Sequence, residues 1–195
     1  MNHHYPRLGQ YFWYGLIVVL AIIVIDQYTK WLVIETTLRI DGKMMSFLDW
    51  FFTKNKISFF IIDREVFNTV ALAPVLNLVM VWNQGISFGM LDSNSPMMAL
   101  GLIGVSLIIS LALLIWLALS HSKLHSFAIG LIVGGAVGNV IDRVRFGAVA
   151  DFIDFHWNDM HWPAFNMADS AIVIGAFLLT VSLMGSTPHY LPPAD

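Results

Sequence analysis

The stretch GGAVGNVIDRVRFGAVADFIDFHWNDMHWPAFNMADS, residues 134–170, decides the fold. It begins inside one apolar segment, crosses a short polar connection and enters the next apolar segment. On the way it sets Asn139, Asp142, Arg143, Asp151, Asn166 and Asp169 beside membrane-like sequence. A charged side chain at membrane depth costs several kcal/mol unless it is paired or reached by water, so such residues mark function by default. Two carboxylates, Asp151 and Asp169, bracket the polar connection.

Working outward, the chain has 195 residues, 57% hydrophobic and only 12% charged. That charged fraction is about half of what soluble domains carry, which makes this an integral membrane protein. A net charge of −3 gives no basic surface for nucleic acid. The absence of cysteine excludes disulfides and thiolate metal sites. A span needs about 20 apolar residues, and four stretches are expected to cross: about 11–34, 97–119, 127–143 and 168–184. The third is short unless Asp142 and Arg143 stand at its wet end. The first lacks a small-residue cleavage site after it and is read as a retained span.

The expected architecture is therefore a mainly α membrane domain, 1–195, with four transmembrane helices. Residues 36–91 hold short runs such as ISFFII and VLNLVMVW, interrupted by Pro74 and Asn77. Runs of that kind fit strands, so a small β-sheet on the membrane surface is expected there. Residues 145–166 read as an interfacial helix or loop, with His156, Trp157 and Trp162 as anchors. His156 and His161 with Asp154 and Asp159 match no zinc spacing, and no metal or cofactor is expected.

Individual residues carry more. Asp26 and Lys30 are four apart on one face of the first span, a pairing that helices favour. Gly134 and Gly138 let another backbone approach the third span closely. Gly135, Asn139 and Arg143 recur every four residues and form a stripe that should face the protein interior or water. Gly85 suits a tight turn or close approach to a ligand. In FNMADS, Asn166 reads as an N-cap with Asp169 three residues later, where an acid meets the helix dipole. Asp142 beside Arg143 reads as an interfacial ion pair.

Two carboxylates that share one proton can hydrolyse an amide without metal, cysteine or activated serine. Asp151 and Asp169 are the candidates for that pair. Chemistry alone leaves two rivals. One is a proton- or cation-coupled carrier, which predicts repeated halves with broken helices. The other is a non-catalytic assembly factor that needs neither aspartate.

Five blocks narrow this: DQYTK at 26–30, NQGISFG at 83–89, GGAVGNVIDR at 134–143, VADF at 149–152 and FNMADS at 165–170. In these blocks and their order the chain resembles bacterial lipoprotein signal peptidase, signal peptidase II, over nearly its whole length. The resemblance implies an intramembrane aspartyl endopeptidase that removes signal peptides just before a diacylglyceryl-modified cysteine of prolipoproteins. It implies catalytic roles for Asp151 and Asp169. Asp26, Lys30, Asn83, Gly85, Gly135, Asn139, Arg143, Asn166 and Ala168 match positions that bind substrate or support the site. It further implies the bacterial inner membrane, cytoplasmic termini, an active site near the outer face, a monomer among membrane lipid, and sensitivity to cyclic peptide inhibitors of the globomycin type. The positive-inside count is ambiguous by itself, because the long connection carries five basic residues. That connection is longer than usual for the family at about 41–65, which bears on how the sheet covers the site.

Overall fold

The computed structural model describes residues 8–40, 42–52, 67–85 and 96–184. Four of its helices are long and apolar enough to cross a membrane. Helix α1 spans Phe12–Trp31 and continues as a π-helical segment, Leu32–Leu38. After the short helix α2, Phe47–Phe52, come α3, Pro96–Leu119, and α4, Lys123–Phe146. Helix α5, Met167–Met184, closes the bundle. At 1.5 Å per residue, the 24-residue α4 is about 36 Å long, enough to cross a bilayer core of about 30 Å.

Helix α4 is the hub, packed against α1, α3 and α5. Its Gly138 touches α1 where any side chain would collide: a Cβ there would stand 2.6 Å from Asp26 Oδ2. Gly135 does the same toward α5, where a Cβ would lie 2.4 Å from the Ala168 carbonyl oxygen. We expect Gly138→Ala to lower stability in detergent by about 1–3 kcal/mol, as overpacking does. Thermal unfolding of the variant beside wild type checks this.

The bundle is apolar outside and polar at its centre. Leu20, Ile108 and Phe177 face outward, while Asp26, Lys30 and Asp142 are all 0% exposed. An aqueous protein arranges its residues the other way round. Here lipid is the outer solvent, and ionisable groups must find partners inside.

The sheet has four antiparallel strands in the order β1-β2-β3-β4: Val70–Ala73, Leu76–Asn83, Val149–Trp157 and Met160–His161. Helix α4 ends at Gly147, whose left-handed φ of 77° lets its N–H return to the Arg143 carbonyl. The chain then enters β3 directly. Asn83 lies opposite Val149, and Val81 opposite Asp151. Asn83 and Asp151 are thus diagonal neighbours, within side-chain reach across the two strands.

Two expectations need correction. Residues 145–166, read as a helix or loop, instead hold the end of α4 and then strands β3 and β4. The first four residues of β3 are all buried, so the strand has no alternating pattern to betray it. The expected sheet segment 36–91 also opens with helix: Leu32–Leu38 and α2 precede β1. Aromatic packing of Phe47 and Trp50 with Trp31 and Phe146 holds α2 there. Most of the long segment at about 41–65, and the connection after Gly85 up to residue 95, lie outside the described residues.

Candidate active site

Asp151 sits on β3 and Asp169 in the first turn of α5. One residue, Asn166, joins them. Its side-chain amide donates to Asp151 Oδ1 at 2.7 Å. Its backbone N–H donates to Asp169 Oδ2 at 3.2 Å, and its side-chain oxygen accepts from the Asp169 N–H at 2.9 Å. The helix cap expected at Asn166 is therefore present, and the same cap aims Asp169. Capping and site-building are one interaction here.

Two further amides complete the ring. Asn83 on β2 donates to Asp151 Oδ2 at 3.1 Å, and the Gly85 N–H donates back to Asn83 Oδ1 at 3.2 Å. Asn139 on α4 donates to Asp169 Oδ1 at 2.8 Å and accepts from the Asn166 amide at 3.2 Å. Asp151 is buried, 1% exposed, whereas Asp169 is half-buried. Burial first, and the neighbouring Asp169 charge second, push the Asp151 carboxyl up to about 7. Arg143 interacts electrostatically with Asp169, Asp142 and Asp151. Its Nε is buried and makes no hydrogen bond.

Beneath this ring lies a buried ionic core. Lys30 Nζ is 2.8 Å from Asp26 Oδ2 and 2.7 Å from Asp142 Oδ2. Gln27 donates to Asp26 at 3.1 Å and to Asp142 at 2.8 Å. Arg145 donates to Gln27 Oε1 at 3.1 Å and also to the Trp50 carbonyl, with its guanidinium over the Trp50 ring. Sequence spacing placed Asp26 with Lys30, which is what the fold does. The Asp142–Arg143 ion pair expected from adjacency does not form; Asp142 turns inward to Lys30. Adjacent helical residues point about 100° apart, so they seldom pair with each other. Gln27 and Arg145 carried no assignment, although Gln27 stands inside the DQYTK block.

The family model of signal peptidase (SPase) II matches residues 18–185. The chain belongs to the signal peptidase II family. That family is one of aspartic peptidases, and the protein is an aspartic endopeptidase with several membrane spans. The carrier and assembly-factor readings fall with that assignment. Lipoprotein signal peptidase of Methylobacterium sp. (strain 4-46) is 44% identical over 124 residues, covering 64% of this chain and 75% of that protein. Lipoprotein signal peptidase of Serratia marcescens is 42% identical over 117 residues, covering 60% and 69%. Among solved structures, a bacterial membrane enzyme determined by the in meso method superposes with a TM-score of 0.67 at 25% identity, over 94% of this chain and 100% of that one. A second such enzyme gives 0.67 at 24% identity over 98% and 99%, a likeness of fold alone.

The eleven residues that the family resemblance points to lie in the ring, in the core below it, or against them. Gly135 and Ala168 contribute backbone: Gly135 admits the start of α5, and the Ala168 N–H donates to Asp26 Oδ1 at 3.1 Å.

Proposed function

We propose that Asp151 and Asp169 are the catalytic pair of an endopeptidase that cleaves prolipoproteins just before their diacylglyceryl-modified cysteine. The observation that carries this reading is the Asn166 bridge, which holds two carboxylates together beside a membrane span. The names of the relatives, lipoprotein signal peptidase, support the substrate class.

The chemistry follows from a pair holding one proton. The ionised carboxylate takes a proton from water as the water oxygen bonds to the scissile carbonyl carbon. The protonated carboxylate gives its proton to the carbonyl oxygen. Collapse breaks the C–N bond as one hydroxyl of the diol intermediate returns its proton to the second carboxylate, and the proton taken from water goes to the leaving amine, which restores a pair holding one proton. The pair titrates as a unit, so neither role belongs to one residue at all times. Arg143, with Nε unsatisfied, is suited to a peptide carbonyl. Asn83 and Gly85 approach the pair from the sheet side, where an extended peptide would lie.

The enzyme sits in the bacterial inner membrane with its termini in the cytoplasm and the pair near the outer face. Trp157 and Trp162, each 68% exposed on the sheet side, fit the headgroup layer. Cyclic peptides of the globomycin type compete with substrate for the pair.

A gel-shift assay on a diacylglyceryl-modified prolipoprotein tests the reading, with the unmodified precursor alongside. Cleavage of the modified form alone is expected; equal cleavage of both sinks the proposed specificity. The pH dependence has a defined sign. With Asp151 at about 7, raising pH through that value strips the shared proton, so kcat/KM should fall above it. Stability should fall over the same approach. An unfolded Asp loses its proton near pH 4 while the folded one keeps it to about 7, so rising pH across that window favours unfolding. A flat rate from about pH 6 to about pH 9, roughly one unit below the limb to two above it, contradicts this.

A further inference from the structure

The buried core beneath the pair is placed with unexpected regularity. Asp142 Oδ2 accepts the Ala150 N–H at 3.2 Å, and Ala150 immediately precedes Asp151. Asp26 Oδ1 accepts the Ala168 N–H at 3.1 Å, and Ala168 immediately precedes Asp169. Each aspartate of the pair therefore has its preceding peptide group held by a buried carboxylate. Lys30 Nζ binds both of those carboxylates, and Gln27 spans them a second time.

We propose that Asp26, Lys30 and Asp142 are positioning residues that fix the separation of Asp151 and Asp169 by clamping the backbone one residue before each. The proposal rests on the catalytic reading above and deepens it. The two aspartates come from different elements, a strand and a helix, joined here by the Asn166 side chain and by backbone hydrogen bonds of Phe165 with Phe152 and Ile153, on the far side of Asp151 from Ala150. Those Phe165 bonds hold the chain after Asp151, whereas the clamp holds the peptide before each aspartate; without it, Ala150 and Ala168 lose their carboxylate partners and the two carboxyls can shift relative to each other. Lys30 is the common point. It ties α1 to α4 through Asp142, and through Asp26 to α5. Gly138 and Gly135 provide the clearance that lets these helices come close enough.

A positioning role differs from a merely structural one in what it moves. The clamp touches no substrate, so loosening it should lower kcat and leave KM nearly unchanged. It should also shift the pH profile. The charged groups facing Asp151 are Asp169 on α5, Lys30 on α1 and Arg143 on α4. Taking away the Asp142 charge leaves Lys30 less neutralised, which moves the alkaline limb to lower pH.

The test uses full-length protein in detergent and the diacylglyceryl-modified prolipoprotein, with wild type, Asp151→Asn, Asp142→Ala, Asp142→Asn and Asp26→Asn in parallel. For Asp142→Ala the expected result is a fall in kcat of about 10²-fold, the size that a misplacement near 1 Å produces. KM should stay within about twofold, since uniform binding is untouched. Asp142→Asn, which keeps an oxygen for the Ala150 N–H, should recover part of that loss while showing the same shift of the alkaline limb. Asp26→Asn should lower kcat through the α5 arm. Thermal unfolding identifies variants that fold, and if Asp142→Ala does not, the two Asn variants decide. Wild-type kcat in the folded variants overturns the proposal, as does a lower kcat with an unmoved limb. If wild type fails to cleave, or Asp151→Asn cleaves normally, the catalytic reading is wrong and the positioning role falls with it.

Discussion

Asp151→Asn and Asp169→Asn are each expected to lower kcat by about 10³-fold or more, because each removes one partner of the proton-sharing pair. Asn keeps the shape of Asp and loses its proton chemistry. The fold should not suffer at position 151. Its carboxyl is buried and lies near a second acid, so ionising it works against the folded state. Replacing it with a neutral group removes that penalty and leaves one amide hydrogen facing a donor, either Asn83 or Asn166. Near pH 8 the thermal unfolding of Asp151→Asn should therefore equal or exceed that of wild type, as expected where a site is tuned for activity at the expense of stability. Loss of cleavage with the unfolding temperature maintained separates chemistry from folding. A variant that still cleaves at the wild-type rate removes its residue from the pair.

The second large effect is on stability. Lys30→Met should cost about 3–5 kcal/mol, because it breaks a buried pair from one side. Asp26 and Asp142 are both 0% exposed, and without Lys30 they would face each other with only Gln27, backbone N–H groups and each other's charge for company. Met matches the length of Lys, so packing is nearly conserved and the loss reports charge. Lowering the pH to protonate one of the two acids should restore part of the lost stability. Thermal unfolding of Lys30→Met and of wild type, compared at intervals from about pH 5 to about pH 8, reads this directly. A Lys30→Met protein as stable as wild type would mean that the core is not held by ion pairing.

Much of this was legible in the sequence because membrane physics leaves few alternatives. The four long helices announce themselves by apolar length, and the positions that the fold brings to its centre are those where polarity interrupts it. Asp26 and Lys30 were readable as a pair because helical periodicity places residues four apart on one face. Asn166 and Asp169 were readable as a cap, and the cap turns out to be half of the site.

Strand β3 was not legible. Its opening residues, Val149 to Phe152, are buried on both sides between the bundle and the sheet, so no alternation marks them. The partner of Asp142 was not legible either. Its neighbour in the chain is Arg143, but its neighbour in space is Lys30, 112 positions earlier by number (142 − 30), and only helix packing brings them together. Arg145 shows the same limit. Its contacts with Gln27 and Trp50 join three separated segments, and nothing local points to them.

The central claim is that this pair cuts a prolipoprotein at its lipid-bearing cysteine. Intact mass analysis of both products, after wild-type enzyme acts on a purified diacylglyceryl-modified prolipoprotein, tests it most directly. The account predicts two species: a released signal peptide with a free carboxyl end, and a mature chain whose first residue is the modified cysteine. A cut at any other bond, or an uncut substrate in the presence of folded enzyme, would contradict it.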